Sequence, residues 1–126
     1  MNEIRFTIPL PPRTKKNSMQ ILTNPRTKRS FIAPSSAYKA YRAAALMTIP
    51  EHVRLGIDYP VNIRAIYFME TRRKVDRPNL EEALLDILVD AGVLADDNAK
   101  IAAMSDGSKV MYDKDHPRTE ITITRL

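Results

Sequence analysis

The chain contains no cysteine and no tryptophan, and only three of its 126 residues are glycine. Without cysteine, the protein has no disulfide bonds, no thiolate metal ligands and no thiol nucleophile. So little glycine argues against a glycine-rich phosphate loop, and therefore against P-loop nucleotide chemistry. The sequence also shows no N-terminal signal segment and no apolar run near the ~20 residues of a membrane span. We therefore expect a soluble, cytoplasmic protein.

The length of the chain predicts a single domain, residues 1–126. Alternating or continuous apolar stretches predict five strands, at Glu3–Ile8, Val61–Met69, Ile101–Met104, Val110–Tyr112 and Glu120–Thr124. Val61–Met69 has apolar residues on both faces in its second half, which favours a central strand covered on two sides.

Two helices and a hairpin complete the prediction. The first helix runs from Ser35 or Ser36 to about Met47, and the second covers residues 79–91. A turn at Asn24-Pro25 lets residues 20–23 pair with residues 30–33. The predicted fold class is α/β of the α+β type: a mixed sheet of about four to five strands with two helices packed on it.

Positive charge is concentrated in the first half of the chain. Residues 1–56 carry ten Lys/Arg and two acidic residues, a net charge of +8. Residues 57–126 carry ten Lys/Arg and thirteen acidic residues, a net charge of −3, which gives the total of +5. Much of the excess lies between residues 13 and 29, and such a segment favours binding to a polyanion such as nucleic acid. The alternative interpretation is a solvated surface loop.

Seven of the fifteen acidic residues lie in residues 72–98. The apolar residues of this stretch recur with a helical period, and Pro78 and Gly92 suit the first turn of the helix and the residue after its end. The pattern therefore places Asp76 at the start of a helix and Asp96 and Asp97 shortly after its end.

Carboxylates grouped in this way are candidate ligands for a hard divalent cation such as Mg²⁺, which can assist phosphodiester cleavage. Loops can bring Asp76, Asp96 and Asp97 together near one neighbouring strand. Simpler interpretations remain open, because Asp76 is also a suitable helix cap and Asp96-Asp97-Asn98 a suitable solvated turn. An acidic stripe on the helix, also explained as its solvated face, is formed by Glu82, Asp86 and Asp90.

Several short motifs occur in a definite order along the chain. The acidic stretch contains Asp76-Arg77-Pro78-Asn79-Leu80, Leu84-Leu85-Asp86-Ile87-Leu88, Ala91-Gly92-Val93-Leu94 and Asp96-Asp97-Asn98. Before it come Pro9-Leu10-Pro11-Pro12, Thr14-Lys15-Lys16-Asn17 and Ser36-Ala37-Tyr38-x-x-Tyr41. In order and spacing, these motifs resemble the RusA family of Holliday junction resolvases over nearly the whole chain.

The resemblance implies a homodimeric nuclease that uses Mg²⁺, with Mn²⁺ as an alternative, and three aspartates to nick four-way DNA junctions symmetrically in recombination and repair. Asp76 matches the first catalytic aspartate and Asp97 the last, with Asp96 beside it, and Asp86 matches the acidic position within the helix. The residues expected to hold the DNA are Lys15, Lys16, Asn17, Arg72, Arg73, Lys74 and Arg77.

Two positions depart from the family pattern. Pro78 replaces the second aspartate of Asp-x-Asp, and Glu82 stands where many members have a catalytic lysine. Because Glu82 lies one helical turn after Pro78, its carboxylate can take over the lost ligand position. On this hypothesis Glu82 is both a metal ligand and a catalytic residue.

Three functions follow from these observations. The first is a Mg²⁺-dependent junction endonuclease, whose dimer interface we expect near Leu85 and Val89. The second is a protein of the same fold that binds branched DNA but has weakened or lost catalysis through Pro78 and Glu82. The third is a protein-interaction domain with an acidic docking helix, which the basic first half of the chain argues against.

Overall fold

A computed structural model describes residues 3–15, 19–34 and 36–126, with side chains described outside residues 19–22 and 31–34. Ser35, one of the two predicted helix caps, lies outside the described residues. The elements are, in chain order, β1 Glu3–Ile8, β2 Met19–Thr23, β3 Ser30–Pro34, α1 Ser36–Thr48, a 3₁₀ helix Glu51–Val53, β4 Val61–Met69, α2 Arg77–Asp90, β5 Ala102–Met104, β6 Lys109–Tyr112 and β7 Arg118–Arg125. No helix in this part of the chain is long and apolar enough to cross a membrane.

The predicted mixed sheet is confirmed, with β4 at its centre. On one side β4 pairs antiparallel with β7, which pairs antiparallel with β1. On the other side β4 pairs in parallel with β5 at one end and with β6 at the other. The predicted hairpin is also confirmed, as β2 and β3 form a separate two-stranded sheet.

The core lies between one face of the sheet and the two helices. Alternate residues of β1, β4 and β7 point into it, and the buried side chains of α2 face them. Tyr38 of α1 is a packing residue, since it is only 2% exposed. On the opposite face of β4, Ile66 is buried and the Phe68 ring lies 3.8 Å from the Arg118 guanidinium. The second face is therefore covered in part by a cationic side chain.

The end of α2 fixes the start of the acidic loop. Gly92 has φ = +78°, and the backbone N–H groups of Gly92 and Val93 donate to the carbonyls of Val89 and Leu88. This pattern is the glycine-dependent helix ending that the sequence predicted. The chain beyond it is held by Ala95, whose N–H donates to the Ile57 carbonyl at 2.8 Å. Backbone hydrogen bonds therefore fix the start of the loop that carries Asp96 and Asp97.

Candidate functional site

Asp76 occupies the N-cap position of α2 but does not cap the helix with its side chain. Its backbone carbonyl accepts hydrogen bonds from the N–H groups of Asn79 and Leu80, at 3.1 and 3.3 Å. Its carboxylate makes no capping bond to the helix amides that the structure describes. The nearest polar contact is the Asn79 side-chain amide, 3.5 Å from Oδ2. The simple capping interpretation of Asp76 is therefore wrong, and the exposed carboxylate remains available to a ligand.

The loop after α2 is ordered by Asp96. Its Oδ1 accepts the Asp97 backbone N–H at 2.8 Å, and its Oδ2 accepts the Asn98 side-chain amide at 3.0 Å. These hydrogen bonds lower the pKa of the Asp96 carboxyl, and the one from the Asp97 backbone N–H has a larger effect than the one from the Asn98 amide. Both Asp96 oxygens thus already hold the turn together, and Asp97 is presented on the exposed turn that they create.

The acidic stripe on α2 is partly neutralised by the rest of the protein. Asp86 forms an ion pair with Lys15, and Asp90 forms one with Arg42 on α1. Asp90 therefore links the two helices, which corrects the interpretation of the whole stripe as a solvated face. Glu82 is exposed. Of the three carboxylates, only those of Asp86 and Asp90 have a cationic partner in the described part of the chain.

The candidate carboxylates do not gather into one metal cluster. Within residues 3–15, 19–34 and 36–126, no group of three or more His, Cys, Asp or Glu side chains is arranged to hold a metal ion. The chemistry of the donors nevertheless suits Mg²⁺, which is bound through one or two carboxylates together with water and substrate phosphates. One or two exposed carboxylates, such as those of Asp76 and Asp97, satisfy that requirement.

The predicted DNA-binding residues have different environments. Arg77 donates to the Ser108 carbonyl at 3.3 Å and lies 3.4 Å from the Glu81 carboxylate. Arg72 lies over the ring of Tyr112, with 4.1 Å between its guanidinium carbon and the ring centroid. Arg73 and Lys74 are exposed. Lys16 and Asn17 lie outside the described residues.

A cationic groove lies beside the start of α2. It has a volume of about 450 Å³ and is formed by residues of the loop after β1 and the segment after β4, among them Arg13, Thr14, Glu70, Arg73, Lys74 and Val75. Arg13 Nη1 donates to both Glu70 oxygens, at 2.8 and 2.9 Å. Glu70 therefore fixes a guanidinium at the groove. Sequence reasoning did not identify this pair, because nothing in the local pattern joins residues 57 positions apart.

The groove and Asp76 are neighbours along the chain. Val75 lines the groove and immediately precedes that aspartate, whose side chain is exposed at the N-terminus of α2. A divalent cation bound there would offset the negative charges of carboxylate and phosphate.

A sequence model of one protein family, described as Endodeoxyribonuclease RusA, matches residues 9–124 of the chain. No curated protein was found to match it. The family match confirms the resemblance that the short motifs indicated. It spans the cationic groove, α2 and both ends of the acidic stretch.

Proposed function

The chain belongs to the family of RusA endodeoxyribonucleases, and from this membership we propose that it is a Mg²⁺-dependent endonuclease that resolves Holliday junctions by paired, symmetric nicks. It would act in DNA recombination and repair in the cytoplasm. The observation that carries the proposal is the exposed, non-capping Asp76 carboxylate, which directly follows Val75 of the cationic groove in a chain of this family.

Asp76 and Asp97 are the residues proposed to hold the metal ion. Asp96, Glu82 and Asp86 are secondary candidates, because Asp96 already orders its turn and Asp86 is paired with Lys15. Mg²⁺, or Mn²⁺ in its place, would supply an activated water and stabilise the charge that develops on the phosphate. Asp76 and Glu82 are also the proposed catalytic residues at the start of α2, with Asp97 contributing from the loop beyond its end.

The DNA backbone would be held by the basic residues around this site. Arg73 and Lys74 are exposed in the groove, and Arg13 is fixed there by Glu70. Lys15 and Arg72 lie in the same two segments of the chain. Contacts of this kind make affinity fall steeply with salt concentration. Two copies related by a two-fold axis would supply the two sites that paired nicking needs, and symmetric dimers are the commonest oligomers.

A second function is favoured by one specific observation. Pro78 replaces a family aspartate, and no cluster of three acidic side chains occurs in the described part of the chain. A protein with the same groove but too few ligands would bind branched DNA without cleaving it.

The experiment that separates the two functions uses a synthetic four-way junction with labelled arms. Incubation with Mg²⁺ should produce nicks at symmetric positions in two opposite strands, and EDTA should abolish them while leaving a shifted band. A shifted band without nicks at any Mg²⁺ or Mn²⁺ concentration would instead establish the non-catalytic binder. If the protein neither nicks the junction nor shifts its band, both proposals are rejected.

A further inference from the structure

A second depression adjoins the cationic groove and is mainly apolar and aromatic. It also has a volume of about 450 Å³, and its distinguishing residues are Arg72, Val110, Met111 and Tyr112. Both depressions are lined by Met69, Thr71 and Arg73, so they form one continuous surface. One half is cationic and the other is apolar and aromatic. Each half lies within the volume range of small-ligand sites, about 300–1,000 Å³.

The apolar half is formed by a strand whose side chains are all exposed. All four residues of β6 are exposed, with Val110 at 36%, Met111 at 44% and Tyr112 at 39%. In the described part of the chain β6 pairs with β4 alone, so its other edge is open. Adjacent apolar side chains on an open strand edge usually mark an interaction site, because such edges are otherwise protected by charge or cover.

Arg72 and Tyr112 provide a flat surface at this place. The Arg72 guanidinium lies 4.1 Å from the centroid of the Tyr112 ring. The stack restrains two side chains that are both suited to stacking against a nucleobase. Because every base has an aromatic face, such a surface binds unpaired nucleotides with little dependence on sequence.

The cationic half supplies the complementary charge. Arg13, Arg73 and Lys74 surround the groove, and the one carboxylate among the lining residues, Glu70, is engaged by Arg13. A phosphate in the groove would therefore meet a net positive environment. Its base would lie within reach of the Arg72–Tyr112 stack, since the two halves share Arg73.

We propose that the two depressions together bind one nucleotide that unpairs at a DNA branch point, with its phosphate in the cationic groove and its base against Tyr112 and Arg72. The inference rests on the proposed action on branched DNA and names the part of that substrate recognised here. Because Val75 lines the groove and directly precedes Asp76, a nucleotide held there would lie near the proposed cleavage site.

A second copy of the chain is the competing occupant of the β6 edge. A two-fold interface would place the same patch on both partners. The cations that rim the patch, Arg72, Arg73 and Lys109, would then lie on both sides of the interface, and opposed like charges oppose association. An anionic partner removes that conflict. The charge pattern therefore favours DNA.

The test measures fluorescence anisotropy in EDTA with two labelled probes, a twelve-nucleotide oligothymidylate and a fully paired duplex of the same length. Tyr112→Ser should weaken binding of the oligothymidylate roughly tenfold, since stacking on one aromatic side chain is lost. It should leave duplex binding unchanged, because phosphate contacts dominate there. Tyr112→Phe should bind both probes like the wild type. Leu55→Ser, at a side chain 51% exposed elsewhere, is the matched control.

Two results would overturn the proposal. One is equal oligothymidylate affinity in Tyr112→Ser and the wild type. The other is an equal loss of affinity for both probes together with a change in sedimentation mass, which would make β6 a contact between copies. If Tyr112→Ser fails to fold, Tyr112→Leu, which keeps an apolar side chain but removes the aromatic ring, tests the same stack with the same expectations.

The outcome is separable from that of the cleavage proposal because no divalent ion is present. A wild-type protein that never nicks a junction but shows this variant pattern supports the nucleotide site and rejects the nuclease. A wild-type protein that nicks junctions while Tyr112→Ser binds normally rejects only the nucleotide site.

Discussion

Lys15 and Asp86 form an ion pair that joins the loop after β1 to the middle of α2. The two side chains were predicted to serve different partners, Lys15 the DNA backbone and Asp86 a metal ion. In the structure they neutralise each other, with their side chains 28% and 33% exposed. A phosphate would compete with Asp86 for the Lys15 ammonium, and a metal ion would compete with Lys15 for the Asp86 carboxylate. The pair therefore couples the proposed DNA and metal contacts.

Asp86→Asn should strengthen DNA binding in EDTA by a few-fold. The substitution releases the Lys15 ammonium and removes a negative charge near the proposed DNA surface. It should also lower the free energy of unfolding by about 0.2–1 kcal/mol, as expected for a partly exposed pair. Anisotropy with a four-way junction and thermal unfolding followed by circular dichroism measure the two effects.

The matched control for this experiment is Asp90→Asn. It breaks the Arg42–Asp90 pair, whose side chains are both 41% exposed, without touching the groove. A similar loss of stability with unchanged DNA affinity is expected. Weaker DNA binding by Asp86→Asn would show that Asp86 does not compete with DNA for Lys15.

Arg13→Ala should reduce the salt dependence of DNA binding. If Arg13 contacts one phosphate, its loss lowers the slope of log K against log salt by about 1. The measurement is a series of junction affinities at several salt concentrations in EDTA. Arg5→Ala, which removes a cation 74% exposed on β1, should leave the slope unchanged. An unchanged slope in Arg13→Ala as well would remove Arg13 from the DNA surface.

Glu82→Gln should abolish Mg²⁺-dependent cleavage as severely as Asp97→Asn. The expectation follows if Glu82, one helical turn after Pro78, has taken the place of the family aspartate. Initial rates of junction nicking at saturating Mg²⁺ measure the effect. Normal activity in Glu82→Gln would show that Glu82 has not replaced the family aspartate as a metal ligand.

A compensating substitution provides the sharper control for Glu82. Pro78 lies in the exposed first turn of α2, where an aspartate is favourable. Pro78→Asp introduced into the Glu82→Gln protein should restore cleavage, because a carboxylate returns to the family position. Glu51→Gln, at a carboxylate 95% exposed, should leave cleavage unaffected.

Alkaline pH should destabilise the protein through Tyr67, which is buried, and Tyr41, which is partly buried. Burial raises the pKa of Tyr41 to about 12, and burial also raises the pKa of Tyr67. Above the ordinary value near 10, the unfolded chain ionises before the folded one, so it binds fewer protons. The contribution of Tyr41 is therefore complete below about pH 10 and is lost as the pH rises towards 12.

Urea unfolding of the wild type and Tyr41→Phe at pH 8, 10 and 11 tests this assignment. The wild type should lose more stability over this range than the variant, with a difference of at most about 2 kcal/mol. The same loss in both proteins would assign the alkaline instability to other groups.

The elements that the sequence predicted well are those with a strong local signal. The bounds of β4 follow from alternation over nine residues, and the two ends of α2 follow from Pro78 and Gly92. Asp76 was correctly placed at the mouth of α2 for the same reason. Local periodicity and turn chemistry carry these features, so no tertiary information was needed.

The charge pairing of the site could not be predicted in the same way. Lys15–Asp86 and Arg13–Glu70 join segments that meet only through the folded sheet. The sequence likewise did not show that both Asp96 oxygens would be used within their own turn. Such contacts depend on side-chain geometry, and hydrophobic periodicity carries no information about it.

Asp76 is the residue proposed to act in metal-dependent cleavage of branched DNA. The most direct test of this role maps the nicks made in a four-way junction by the wild type and by Asp76→Asn, each with Mg²⁺. We predict symmetric nicks with the wild type. Asp76→Asn should produce no nicks, but it should bind the junction and give a shifted band as strong as that of the wild type. Nicks of equal rate and position in Asp76→Asn would show that Asp76 takes no part in cleavage.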